Sequence, residues 1–174
     1  MSHCIFVLMV GLLLIQSAAV ATVYVIRPDG TGDFPTIQAA VDAAMDGDVI
    51  ELTDGTFTGP DNRGIAFGGK SLTVRSQSGD PHGCIIDGAG VARGFRGHLN
   101  GSVEGISVIH GHGDAYGGAI YISAGALTVR RCVFSDNHAP ANGGAAFIDL
   151  CSRITFEECV FVGNSSGAGG GVCT

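Results

Sequence analysis

CVFSDNHAPANGGAA at residues 132–146 and CVFVGNSSGAGGGV at residues 159–172 decide the fold of this 174-residue chain. FSDN at 134–137 returns as FVGN at 161–164, an offset of 27, and Cys132 returns as Cys159 at the same offset. One step earlier, at an offset of 26, Ile106, Val108 and Gly111 fall on Cys132, Phe134 and Asn137. The glycine pairs Gly117-Gly118, Gly143-Gly144 and Gly170-Gly171 follow independently, 26 and then 27 residues apart. Two unlinked features sharing one period make chance agreement a poor explanation.

A period of 26–27 with strand-like runs and no helical pattern is too short for a propeller blade or a helical-pair repeat. It fits one turn of a parallel β-solenoid, each turn stacked on the last at about 4.8 Å. Equivalent residues then lie above one another, so Ile106, Cys132 and Cys159 are expected to form one inward stack, and Val108, Phe134 and Phe161 a second. Glycine pairs suit sharp corners. Asn137 and Asn164 follow the strands, where Asn tolerates a left-handed turn and stacked amides bond along the axis. A Greek-key sandwich would explain the short strands but not the fixed period.

Outward from the repeats, TVYVIR at 22–27 reads as a strand. Thr36 to Ala44 then sets Ile37, Ala40, Val41 and Ala44 on one helical face, with Asp33 or Thr36 as its cap. Before these, Cys4–Ile15 is an apolar run of twelve, followed by Ala19-Val20-Ala21, a small-x-small cleavage pattern. The run is too short to span a bilayer core of roughly 30 Å. Residues 1–21 therefore read as a signal peptide cleaved after Ala21, residues 22–70 as a cap and first turn, and residues 71–174 as solenoid repeats. About five turns are expected, a stack of roughly 25 Å. No cap follows the last glycine pair, so the repeats read as incomplete at the C-terminus, with end-to-end self-association through the open turn as a consequence to test.

Composition narrows the function classes. Glycine supplies 29 of 174 residues and charged residues only 14%, which disfavours coiled coils and helical bundles. The net charge of −7 and the scatter of the nine basic residues leave nothing to neutralise a run of phosphates, so no nucleic-acid partner is expected. No membrane span is expected either. Apart from Cys4, five cysteines remain, an odd number. Cys132 and Cys159 are within disulfide reach as neighbours on adjacent turns, or stand as stacked buried thiols.

The segments GGAI, GGAA and GGGV, alternating with FSDN and FVGN, resemble the GGA[ILV] and FxxN repeats of chlamydial polymorphic outer membrane proteins. More broadly the chain resembles right-handed parallel β-helix proteins of the pectin-lyase-like superfamily. DGTGDFPTIQAAVDAAMDGDVIEL at 29–52 is similar to the strand-plus-helix cap of that superfamily, and pectin methylesterases open in nearly the same way. The resemblance implies an all-β, right-handed parallel β-helix with an N-terminal cap. It implies secretion or cell-surface exposure, and an extracellular polysaccharide or cell-surface component as partner.

Fold alone does not give chemistry. The aspartate, arginine and glutamine motifs of the pectin methylesterases are missing after residue 60. Of the polygalacturonase motifs only GHG appears, at Gly111-His112-Gly113. His110, His112 and Asp114 alternate and would share a face of an extended strand, where they could hold a transition metal, and Asp136 lies one turn above. These four are the weak catalytic candidates, and no metal site is assigned to them. Calcium is the one cofactor considered: Asp29 and Asp33 bracket a GTG turn but lack the full oxygen set of a calcium loop, and a turn plus a helix cap explains them as well. The reading is a secreted or surface β-helix module with a binding or adhesive role and no complete active site. The alternatives are a polysaccharide lyase, hydrolase or esterase, or a fragment of one.

Overall fold

The computed structural model describes residues 20–149 and 152–174. The expected signal peptide therefore lies almost wholly outside the described residues, and so does Cys151.

The chain winds as a parallel β-solenoid, and each turn is built from short strands with alternating burial. The first rung is β1 (Val23–Ile26), followed by the helix α1 (Ile37–Ala43). The second holds β2 (Val49–Leu52) and β3 (Gly55–Phe57). The third holds β4 (Ser71–Ser76), β5 (Cys84–Asp87) and β6 (Phe95–His98). The fourth holds β7 (Asn100–Glu104) and β8 (Ser107–Ile109), and runs into β9 (Ile120–Arg130). The fifth holds β10 (Val133–Ser135), β11 (His138–Asn142) and β12 (Ala146–Ile148). The last holds β13 (Ser152–Glu157), β14 (Val160–Val162), β15 (Ser165–Ala168) and β16 (Val172–Cys173).

Every pairing between these strands is parallel. The first face stacks β1, β2, β4, β7, the second half of β9, and β13. The second stacks β3, β5, β8, β10 and β14. The third stacks β6, the first half of β9, β12 and β16. Strand β9 serves two faces because it turns a corner at Gly125, which sits at φ 101°.

Six rungs on the first face make about six turns, one more than the five expected from the repeat period. The extra rung is β1. The helix after it makes the segment read as a cap, yet Val23 to Ile26 pair with Val49 to Leu52 like any other rung. The helix forms as its apolar face requires, burying Ile37, Ala40 and Val41 with Ala44. Thr36 caps it by accepting the Ala39 N–H at 3.2 Å. Asp33 does other work, accepting the Val25 N–H at 2.7 Å.

The core is a set of ladders running along the axis, because strand side chains alternate in and out and the register stays fixed from turn to turn. Ile50, Val74, Val103 and Val129 stack beneath the first face, and Phe57, Ile86, Val108 and Phe134 beneath the second. All eight are fully buried. No single turn could bury such a stripe alone, so each rung stabilises its neighbours.

The glycine pairs stack as well, with a shift at the third. Ile120 pairs with Ala146 and Ala146 with Val172, so Gly117 and Gly118 lie over Gly143 and Gly144, and these over Gly169 and Gly170. Gly171 instead takes the position of Ala145, a correction to its expected place in the pair. The cause lies between β11 and β15, whose register slips between Ala139 and Asn142, so the last turn uses one residue fewer there. The backbone agrees: Gly117, Gly143 and Gly169 share φ values of 59°, 66° and 69°. The second glycine of each pair is needed for a different reason. A Cβ on Gly118 would overlap the Gly144 carbonyl, and one on Gly144 the Gly170 carbonyl.

Candidate binding face

The four candidate residues in and above HGHGD are placed by irregular backbone, and the structure sends them to different partners. His110 is a left-handed corner residue at φ 49°, and its Nδ1 lies 3.2 Å from Asp87 Oδ1 on the turn below. His112 joins a single bridge to His138 above, their rings 5.5 Å apart. His138 Nδ1 in turn lies 3.0 Å from Ser165 Oγ. Asp114, almost fully exposed, accepts from Arg93 at 3.3 Å. Asp136 is exposed in the corner above His110. No hydrogen bond or ion pair joins any two of the four, and among the described residues no three His, Cys, Asp or Glu side chains form a metal cluster. Gly111 and Gly113 point inward and leave His110, His112 and Asp114 outside, but the left-handed corner at His110 and their separate partners keep the three from converging.

The calcium candidates are also committed to local structure. Asp29 Oδ1 accepts the Thr31 hydroxyl at 2.7 Å and its N–H at 3.0 Å. The Thr31 hydroxyl, first, holds its carboxyl below the usual carboxylate range. Asp33 braces β1 as described above.

The repeat residues Asn137 and Asn164 form an amide ladder along the axis. Asn137 is fully buried. Its Nδ2 donates to Val108 O at 3.0 Å and to Asn164 Oδ1 at 2.9 Å, and its Oδ1 accepts the Gly111 N–H at 2.7 Å. Asn164 repeats one part of this, donating to Phe134 O at 2.8 Å. Neither Asn is itself left-handed. The left-handed residue is the one before: His110, Asp136 and Gly163, at φ 49°, 55° and 66°.

Ile106 and Cys132 are buried and in register with half-buried Cys159. Both cysteines are free thiols. The Cys132–Cys159 hydrogen bond, with burial added, raises the Cys132 thiol. The same bond lowers Cys159 to about 7. Cys84, on the second face, is pushed up to about 12 by burial.

The arrangement with the most to offer a partner lies on the outside of the third face. Here Phe95, Ile120 and Ala146 point inward and are buried. Their successors Arg96, Tyr121 and Phe147 are in register on adjacent strands and form an outward ladder, with Cys173 next in register above Phe147. The Tyr121 and Phe147 rings lie 6.0 Å apart at 24°, and Tyr116, 40% exposed, adds a third ring 4.6 Å from Phe147. Arg93 braces the group from below. Its guanidinium sits 5.5 Å from the Tyr121 ring centroid and donates to the carbonyls of Tyr116 and Gly117 at 2.9 Å each.

Arg96 differs from Arg93 in having no acidic partner among the described residues. Its Nε donates to Gly64 O at 3.0 Å, and its side chain is exposed. It forms the ridge between two hollows. One, of about 400 Å³, is walled by Tyr116, Tyr121, Arg93 and Asp114; the other, of about 510 Å³, by Gln38, Arg63 and Val91. A flat aromatic step beside an unpaired, planar, five-donor cation can stack on a ring and hold a carboxylate or sulfate in two-pronged fashion.

Sequence reasoning missed this face, although its signal is present. Tyr121 and Phe147 each stand three residues after Gly118 and Gly144, so the repeat is glycine-glycine-alanine-x-aromatic. Arg96 carries no such marker.

Residues 131–149 match the Chlamydia polymorphic membrane protein repeat. The match runs from the left-handed corner at Arg131 through β10, the buried Asn137 and the glycine pair to β12. No curated protein and no solved structure gives a significant match. With parallel rungs stacked on three faces, the chain is a parallel β-helix repeat protein resembling the chlamydial polymorphic membrane proteins.

Proposed function

We propose that the chain is a secreted or cell-surface β-helix module with a binding or adhesive role. Its contact surface is the ladder of Arg96, Tyr121 and Phe147 with Tyr116 beside it. The observation that carries the reading is this ladder: three aromatic rings in contact on the outside of a solenoid, next to the exposed Arg96, which has no acidic partner among the described residues. Exposed aromatic and arginine side chains are the residue types that dominate binding energy at contact surfaces. The repeat match supports surface association, and no helix among the described residues is long and apolar enough to cross a membrane. The partner of this reading is an extracellular polysaccharide or a cell-surface component. His110, His112 and Asp114 meet different partners, Asp136 stands exposed apart from them, and the four lend no weight to a hydrolase or lyase.

The test is binding of the exported protein to immobilised polysaccharides and host-cell surfaces, with product release followed in parallel. Tyr121→Ala and Arg96→Ala are each expected to weaken retention by about tenfold or more, as truncating a central aromatic or arginine anchor does. Retention unchanged in both variants would overturn the assignment of the face. Soluble product released from a polysaccharide would overturn the non-enzymatic role.

A further inference from the structure

Asp48 is 97% removed from solvent, only 3% exposed, at the start of the second rung. Because Val23 pairs with Val49, it lies in register beside Thr22. Its Oδ1 accepts the Thr22 N–H at 2.8 Å, and its Oδ2 accepts the Met45 N–H at 2.8 Å. The Thr22 hydroxyl adds a further bond, and together these hold the carboxyl below its usual range, the Met45 N–H contributing most. The Thr22 carbonyl is fixed too, by the Val49 N–H at 2.8 Å. One residue earlier the chain is free: Ala21 is exposed and Val20 is 89% exposed, beside a hollow of about 360 Å³. The register of the solenoid thus begins at the residue that follows the small-x-small pattern Ala19-Val20-Ala21.

We infer that Asp48 is the receptor for the mature N-terminus, taking up the α-ammonium of Thr22 released when a signal peptidase cuts the Ala21–Thr22 bond. In that cut water adds across the amide. Ala21 leaves with a carboxylate, and the Thr22 nitrogen becomes an amine that takes a proton at neutral pH. Before the cut this nitrogen offers Asp48 one neutral N–H. Afterwards the same nitrogen offers a charged donor to the same oxygen, which adds an ion pair to the hydrogen bond already made to the carboxylate. The other charged groups around this end are Asp42, Asp46 and Lys70. Asp46 accepts the Ser71 N–H at 2.8 Å, Lys70 donates to the carbonyls of Val41 and Asp42, and Asp42 accepts from Gln38. None of these contacts involves Thr22. The inference rests on export of the chain and is independent of the binding face.

The experiment begins with the full chain expressed for export, and N-terminal sequencing of the exported product. Thr22 is the expected first residue; any other overturns the cleavage site. The α-amine is then titrated by its rate of reductive methylation. A paired ammonium titrates above the ordinary value of about 8, so labelling near pH 8 is expected to be about tenfold slower than in the denatured protein. Asp48→Asn is expected to abolish that protection. Equal rates in the folded and denatured protein overturn the pairing. Should Asp48→Asn fail to fold, the uncut full-length chain supplies the second comparison. The ammonium's pKa is raised by folding, so its stabilisation is complete below about pH 8 and lost as pH rises through the folded value. The exported protein is expected to lose melting temperature across that window relative to the uncut chain, whose Thr22 nitrogen is an amide. Parallel curves overturn the inference.

Discussion

The fifth and sixth turns carry nearly the same text, CVFSDN and CVFVGN, in very different surroundings. In the fifth, Cys132, Phe134 and Asn137 are each 1% exposed or less. In the sixth, Cys159, Phe161 and Asn164 are only half-buried, and the first-face residues beside them, Ile154 and Phe156, are half-buried as well. At the other end of the stack, α1 closes over β1 and β2, and Ile26 and Ile50 are fully buried. The lesson is that a solenoid repeat has no fixed energetic value. Its worth is set by the rungs above and below it, so the same residues stabilise by different amounts in successive turns.

The aromatic ladder gives the sharpest way to break this comparison. Phe134 stacks on Phe161 at 5.2 Å and 18° and meets Phe156 edge-on at 6.0 Å, with Val108 below. Phe134→Ala is expected to cost about 3–5 kcal/mol, since it opens a cavity walled on both sides. Phe161→Ala is expected to cost about 1–2 kcal/mol, because a half-exposed site loses less apolar burial. Urea denaturation of both variants checks this. Equal costs would mean that the last turn is covered as well as the fifth, and would replace the nearest-neighbour account.

The amide ladder extends the comparison to polar groups. Asn137→Ala removes three bonds at a fully buried site and strands the Gly111 N–H and the Val108 carbonyl. Its expected cost is about 2–4 kcal/mol, dominated by the unsatisfied groups. Asn164→Ala strands the Phe134 carbonyl and removes the acceptor of the Asn137 N–H and Nδ2, but nearer to solvent, and is expected to cost about 1–2 kcal/mol. Amide exchange at Gly111 offers a local reading, since its N–H should lose protection only in the first variant. Protection unchanged by Asn137→Ala would show that the ladder is not what holds this corner.

Much of this architecture was legible because a solenoid writes its geometry into a period. Phe134 over Phe161 follows from counting, and the helix from its apolar face. What failed to show followed from local irregularity. One residue dropped between β11 and β15 moved the third glycine pair back to Gly169-Gly170, a shift invisible when each glycine is read alone. Alternation in HGHGD implied a shared site, but the corner at His110 turns it toward Asp87 while Asp114 meets Arg93. The outward ladder leaves a fainter trace than the inward ones, because its successive positions hold different residue types, Arg96, Tyr121 and Phe147. Arg96 is also separated from Tyr121 by a stretch whose register shifts after Gly97, so it shares no simple motif with the rungs above it.

The smallest expected effect tests the corners that repeat at Asp136 and Gly163. Both are left-handed, at φ 55° and 66°, but only one is a glycine. A non-glycine residue there carries backbone strain of about 1 kcal/mol or more. The Asp136 N–H bonds to Val162 O, as a glycine's would, and its side chain makes no hydrogen bond among the described residues to offset the strain, so Asp136→Gly is expected to raise stability by about 0.5–1 kcal/mol, net of the extra freedom gained by the unfolded chain. Gly163→Ala reverses the sense: the new Cβ meets Asp136 Oδ1, and the variant is expected to lose about 1 kcal/mol. The double variant sharpens the point. With Asp136 already glycine the clash disappears, and Gly163→Ala should then cost only its own backbone strain, so the two changes should not be additive. Strict additivity in thermal melts would show that the two corners act separately, and that coupling between turns runs through the inward ladders alone.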